Sequence, residues 1–229
     1  MADKKHDPQK VILMNVRLSF EALFEPDKRK ADDGSTTEKW KSNFLLDKDA
    51  FKSGEIKAKY MGKIMPAKDA LKLASNAAKE KKWGDETKWP KLKPDRVFLR
   101  DGDLEDWEGY PGNYYVSANA NLNERPAVVT NRKDGNGNWI DAEPGGRAVP
   151  YSGCFVNATI TTWAQDNEHG KRVNARVKAV QFYRDGEAFG AAPTDPNDDF
   201  DDDMVGEEGD LGYDDDADNG GGDDDDGLV

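Results

Sequence analysis

The sequence predicts a mainly β protein: a small antiparallel barrel with a helical insertion, followed by a disordered acidic C-terminal tail. Three observations lead there. Several segments alternate apolar and polar residues with the period of two that a half-buried strand requires. One segment loses that period and gains Ala, Lys, Leu and Met, and no βαβ alternation calls for a parallel sheet. Finally, residues 195–229 hold 17 Asp plus Glu and no Lys or Arg, too much like charge to collapse into a core.

In chain order, Val11–Phe20 reads as a strand with Ile12, Met14, Val16, Leu18 and Phe20 on one face and Asn15, Arg17 and Ser19 on the other. A charged turn with Gly34 leads to Lys39–Leu46, where Trp40, Phe44 and Leu46 share a face. Residues from about Asp49 to Lys82 favour two helices broken at Pro66, because proline removes an amide donor and clashes with the preceding turn. Arg96–Arg100 and Gly112–Asn121 are strands on either side of a turn, and Pro126–Thr130 is extended. The run Asn131–Asn138 has the dipeptides of a mobile loop, with Trp139 at its far edge. Last come Cys154–Trp163 and Arg172–Arg184, the arms of a long hairpin turning at Asp166–Gly170.

Net charge is −13 over 229 residues, yet the average hides two regions. Removing the tail leaves 29 acids against 33 bases in residues 1–194, a body of about +4. A mildly basic domain (1–194) with a strongly acidic tail (195–229) is the asymmetry of a nucleic-acid binder carrying an interaction arm. A merely solubilising tail is the plainer alternative. No stretch approaches the ~20 apolar residues of a membrane span, and the N-terminal lysines have no apolar run behind them, so neither membrane nor leader is expected and residence is cytoplasmic. One cysteine and two histidines assemble neither a disulfide nor a zinc site. A Cys154–His169 pair would have to draw its base from a hairpin turn. No cofactor fingerprint occurs.

Gripping an unpaired strand takes cations for phosphates and flat rings for bases. Lys39-Trp40-Lys41 interleaves the two in one strand, while Arg172, Asn174, Arg176 and Lys178 form a basic strip along another. Tyr115, Ser117, Asn119 and Asn121 make a polar face with one ring. With Arg17 and Trp139, the candidate contacts are Arg17, Lys39, Trp40, Lys41, Tyr115, Asn119, Trp139, Arg172, Arg176 and Lys178. The plain alternatives are that Trp40, in phase with Phe44, is core and that the basic strip is a solvated sheet face. Asp101, Asp103, Glu105 and Asp106 raise a metal-dependent, structure-specific nuclease or its accessory subunit as another reading, but they lie in a Gly-containing turn beside Arg100, and no metal or catalytic residue is expected. In the tail, Asp223, Asp224, Asp225 and Asp226 precede the apolar Leu228 and Val229, a flexible acidic arm suited to a hydrophobic pocket rimmed by cations; an acidic adaptor mimicking DNA is a third reading.

Gly112-Asn-Tyr-Tyr-Val-Ser-Ala-Asn-Ala, Arg125-Pro-Ala-Val-Val, Tyr151-Ser-Gly-Cys-Phe-Val-Asn-Ala, Gly170-Lys-Arg-Val and Val180-Gln-Phe-Tyr-Arg-Asp-Gly186 resemble a family of tailed-phage single-stranded DNA-binding proteins. The resemblance spans most of the chain. It implies an OB fold and single-stranded DNA as ligand, in the replication or recombination of a phage inside its host's cytoplasm, with replication or recombination proteins meeting the tail. Tails of this kind often end in an aromatic residue, whereas this one ends Gly227-Leu228-Val229. Monomer and dimer remain open.

Overall fold

The computed structural model describes residues 6–30 and 34–190. Along the chain run β1 (Lys10–Lys30), β2 (Thr36–Asp47), α1 (Lys48–Ser53), β3 (Lys57–Tyr60), β4 (Lys63–Pro66) and α2 (Ala67–Trp83). Then come β5 (Leu99–Asp101), β6 (Asn113–Asn121), β7 (Ala127–Lys133), β8 (Trp139–Asp141), β9 (Phe155–Asn167) and β10 (Gly170–Arg184). The acidic segment 195–229, including Asp223–Asp226, Leu228 and Val229, lies outside the described residues.

Five of these strands close on themselves. β1 pairs with β2, β2 with β6, β10 with β9, and β9 with β1, all antiparallel. The ring is completed where β10 lies parallel to β6 at Ala175 and Ala118. This is the OB arrangement, a five-stranded Greek-key barrel, so the expected antiparallel barrel is present and is sealed by one parallel contact. β7 extends the sheet parallel to β10, and β8 pairs with β7 beyond it. Inside sit Val11, Leu13, Leu18, Phe44, Leu46, Val116, Val156, Ile160, Val177 and Val180, each nearly or wholly removed from solvent. Full burial of such side chains contributes about 1.5–3 kcal/mol each, against 0–1 for a surface ion pair, so closure rests on this core.

The predicted face of β1 needs correction. Asn15 (φ 51°) and Phe20 (φ 47°) adopt left-handed backbone, and the register shifts between Leu13 and Val16 against β9 and between Ser19 and Ala22 against β2. Each irregularity resets which face looks inward. The buried set is therefore Val11, Leu13, Val16, Leu18 and Leu23, while Phe20 is turned outward. β1 also runs on to Lys30 and β2 begins at Thr36, so the charged segment read as a turn is mostly a long two-stranded arm.

The first of the two expected helices is only six residues long. Asp47 caps α1 by accepting from the Asp49 and Ala50 amides, and Gly54 in left-handed conformation ends it. The β3–β4 hairpin follows, turning at Met61 and Gly62, both at positive φ. Pro66 marks the start of α2, as its missing N–H allows. α2 buries Ala67, Ala70, Leu71, Ala74 and Ala78, a narrow small-residue stripe that lets the helix approach β9 closely. There the Thr162 hydroxyl donates to the Ala74 carbonyl at 2.7 Å. Of the Asn131–Asn138 run, residues 131–133 belong to β7 and the rest form the β7–β8 turn, in which the Asp134 carboxylate accepts from the Asn136 and Asn138 backbone amides.

Candidate nucleic-acid interface

In β2, Trp40, Ser42, Phe44 and Leu46 point into the barrel, which leaves Lys39, Lys41, Asn43 and Leu45 on the outside. In β6 the inward Val116, Ala118 and Ala120 alternate with Tyr115, Ser117 and Asn119. The register sets Lys41 opposite Asn119 and Asn43 opposite Ser117, so cations and small polar side chains share one outer surface. Toward one end that surface is sealed by a second small core of Leu45, Tyr110 and Tyr115. The Asn43 amide donates to the Tyr110 hydroxyl at 2.6 Å. The Tyr115 hydroxyl donates to Glu105 Oε1 at 2.5 Å, and burial together with that carboxylate pushes its pKa up to about 12. Tyr115 is thus a neutral floor to the groove, with its ring covered.

Above this floor Arg29, Lys39, Lys41 and Arg100 converge on one groove that also contains Asp27. Arg29 and Lys39 arrive from the β1–β2 arm, whose outer half pairs Asp27 with Lys39 and Arg29 with Thr37. Arg100 comes from β5, opposite Tyr115. Burial, and then the neighbouring Arg29 guanidinium, hold the Lys41 ammonium below its ordinary pKa. An anion placed there offsets both penalties by attracting the ammonium and the guanidinium together. At the rim two rings face solvent: Phe20 is 42 % and Trp107 41 % exposed. They meet edge to face at 4.9 Å, Trp107 rests on Tyr110 at 5.0 Å, and Lys41 reaches over Phe20 at 5.3 Å. The positive φ of Phe20, costly for a bulky residue, is what turns its ring out of the barrel.

The groove continues past Lys39, Arg100 and Asn119 onto the β9–β10 hairpin, where Trp163, Arg172, Asn174 and Arg176 line it. Here the Arg172 Nε is buried with no hydrogen-bond partner among the described residues. Arg176 donates to Glu124 Oε1 at 2.7 Å, and Lys178 approaches the same oxygen at 3.4 Å.

Of the residues singled out in the sequence, Lys39, Lys41, Tyr115, Asn119, Arg172 and Arg176 come together in this groove. Four do not. Trp40 is inside the barrel, 6 % exposed, with its indole N–H donating to the Leu122 carbonyl at 3.0 Å. Arg17 donates to the Gly153 and Glu187 carbonyls and stacks on Phe189, which makes it a brace for the segment after β10. Trp139 is on outlying β8 beneath the Lys133 ammonium. Lys178 lies beside the groove, held by Glu124. Sequence reasoning missed Phe20, Arg29, Arg100, Trp107 and Trp163. Trp107 had a signal, a tryptophan in a Gly/Pro-bounded loop, where few rings find a core; the others depend on strand pairing.

The acidic turn is satisfied within the fold. Lys48 binds both Asp101 and Asp103 and holds each carboxyl below its usual range. Among the described residues no three His, Cys, Asp or Glu side chains are grouped to hold a metal. Cys154 is fully buried, which pushes its thiol up to about 11.

Over residues 9–211 the chain matches the family described as Enterobacter phage Enc34, ssDNA-binding protein. It is 36 % identical over 206 residues to putative protein p50 of Acyrthosiphon pisum secondary endosymbiont phage 1, covering 88 % of this chain and 98 % of that protein. Its fold is similar to that of the single-stranded DNA-binding protein from bacteriophage Enc34 in complex with ssDNA, with a TM-score of 0.59 and 24 % identity over 82 % of this chain and 99 % of that one. A second structure of the single-stranded DNA-binding protein from bacteriophage Enc34 gives a TM-score of 0.55 at 24 % identity, with 84 % of this chain and 90 % of that one covered. With the family matched over residues 9–211 and a relative 36 % identical along nearly its whole length, the chain belongs to the family of the Enterobacter phage Enc34 ssDNA-binding protein.

Proposed function

We propose that this protein binds single-stranded DNA without strong sequence preference, along the outer face of β2 and β6, and that it acts by binding and not by catalysis. The observation that supports this most is the meeting of Arg29, Lys39, Lys41 and Arg100 with two exposed rings, Phe20 and Trp107, on the face where OB barrels receive oligonucleotides. Cations take the phosphates, and each base stacked on a ring adds about 1–3 kcal/mol, which a duplex with its bases already stacked cannot collect. Asn119 and Ser117 supply hydrogen bonds that tolerate any base. In the replication or recombination of a phage, such a groove protects exposed strands in the host cytoplasm. The acidic segment 195–229 then recruits replication or recombination proteins through the apolar Leu228 and Val229 that follow Asp223–Asp226.

The test is a titration of a labelled oligothymidylate and its matched duplex with the wild type and with Lys39→Gln/Lys41→Gln. The wild type should prefer the single strand and quench tryptophan fluorescence. The double variant should bind about 25-fold more weakly near 0.1 M salt, the factor expected for two lost phosphate contacts at a salt slope of about −0.7 each. Equal binding by both proteins would place the DNA elsewhere.

A further inference from the structure

We propose that the strand-binding track does not end on the barrel, but passes around Trp163 and continues onto the C-terminal end of α2, where Lys81 and Lys82 hold further phosphates of the same strand. This rests on the single-strand reading above and extends it to surface that the β2–β6 face does not include.

The groove geometry is the first support. The depression on the β9–β10 hairpin ends at Trp163 and Arg176, and those two residues also open the next depression, which runs to Lys81 and Lys82. Trp163, 37 % exposed, stands between the two as a divider. A flat ring at the junction of two cation-lined grooves offers a stacking surface where the strand must turn.

The second support is rigidity. The Trp83 indole, the last residue of α2, donates to Asp166 Oδ2 at 3.0 Å, tying the helix end to the tip of the β9–β10 hairpin. Thr162, next to Trp163, is bonded to α2 through Ala74. The two segments of the track are thereby fixed to each other before any DNA arrives, and little ordering cost remains to be met on binding.

Charge is the third. Lys81 and Lys82 fill the last turn of α2, where the helix carbonyls alone would repel an anion. Part of that repulsion is quenched, because the Gly84 amide caps the Glu80 carbonyl. Lys81 donates only to the neutral Gln9 side chain, at 2.9 Å, and Lys82 has no ion pair among the described residues. Asp7 is the acid lining this depression. Both ammoniums are therefore available to phosphate.

The experiment compares oligothymidylates of about 6 and about 20 nucleotides, within and beyond what one OB face covers. Wild type, Lys81→Gln/Lys82→Gln and Trp163→Ala are titrated at two salt concentrations. The lysine variant should bind the short strand like the wild type. It should bind the long strand about 25-fold more weakly near 0.1 M salt, with the salt slope flattened by about 1.4, as two missing contacts require. Trp163→Ala should weaken the long strand while leaving the salt slope unchanged. Unaltered binding of the long strand by the lysine variant overturns the extended track and leaves the barrel groove standing. Equal loss on both lengths also overturns it, since the lysines would then act on the fold or on the whole field. If the wild type binds neither length, both readings fail together.

Discussion

Glu124 occupies a position suited to a phosphate. Its Oε1 accepts from Arg176 and lies near Lys178, and its Oε2 accepts from Asn121 at 3.2 Å. A carboxylate there neutralises part of two cations' charge and must be displaced or outcompeted when a phosphodiester arrives. The pair is only partly buried, so its own worth to the fold is about 0–1 kcal/mol. Glu124→Gln should therefore leave thermal stability nearly unchanged and tighten single-strand binding by roughly fivefold, steepening the salt slope by about 0.7, the signature of one additional contact. If binding weakens, the carboxylate is positioning Arg176 and not competing for it. At this scale the sequence was partly legible. Alternation placed Lys39, Lys41 and Asn119 outside correctly, because a strand offers only two faces. For Trp40 the same alternation, in phase with Phe44 and Leu46, pointed to the core. Arg17 is different: its carbonyl partners on Gly153 and Glu187 come from far along the chain, and no local pattern reveals them.

Among the elements, the loop between β5 and β6 supplies Trp107, one of the groove's two exposed rings. It delivers Trp107 and Tyr110 over the β2–β6 face, and its first turn is held at Gly102. A Cβ on Gly102 would lie 2.3 Å from the Tyr110 carbonyl oxygen and 2.6 Å from that of Asn113, both backbone atoms with no freedom to step aside. Gly102→Ala should cost about 1–3 kcal/mol of unfolding free energy, the range for overpacking, read from urea denaturation. It should also weaken DNA binding, because the displaced segment carries Trp107. Gly135→Ala, which meets nothing within 4 Å, is the control and should stay within about 0.5 kcal/mol of the wild type. A Gly102→Ala protein as stable as the control would mean that the loop relaxes freely and does not position its rings. Element boundaries were the weakest part of the sequence reading for a related reason. The phase of β1 resets at Asn15 and Phe20, and only cross-strand pairing exposes such irregularities. The β3–β4 hairpin is too short for its period to stand out from the lysine-rich stretch around it. By contrast the β9–β10 hairpin was legible with its outer ends within a residue, but its arms pair inward to Asn167 and Gly170, past the expected Trp163 and Arg172, because polar residues near a turn carry no apolar alternation.

On the scale of the whole molecule, charge is segregated along the chain: about +4 in residues 1–194 and −17 in residues 195–229. The mainly β class and the binding of an anion were legible from this separation and from the strand periods, whereas the groove was not. It is assembled from β1, β2, β5, β6, β9 and β10, segments brought together only by barrel closure. The same separation has a kinetic consequence. The 17 acids of residues 195–229 add a negative field that an incoming strand meets wherever the screening length is long. Ending the chain at Thr194 shifts its net charge from −13 to about +4. The shortened protein should then bind single-stranded DNA several-fold more tightly near 0.05 M salt, mainly through a faster association rate. The difference should shrink toward nothing near 0.5 M, where the Debye length falls to about 4 Å. Stopped-flow tryptophan quenching at both salt concentrations separates the rates. A gain that persists unchanged at high salt would mean that the arm occupies the groove through specific contacts. Loss of binding on shortening would reverse the assignment altogether, making the acidic arm, and not the barrel, the part that acts.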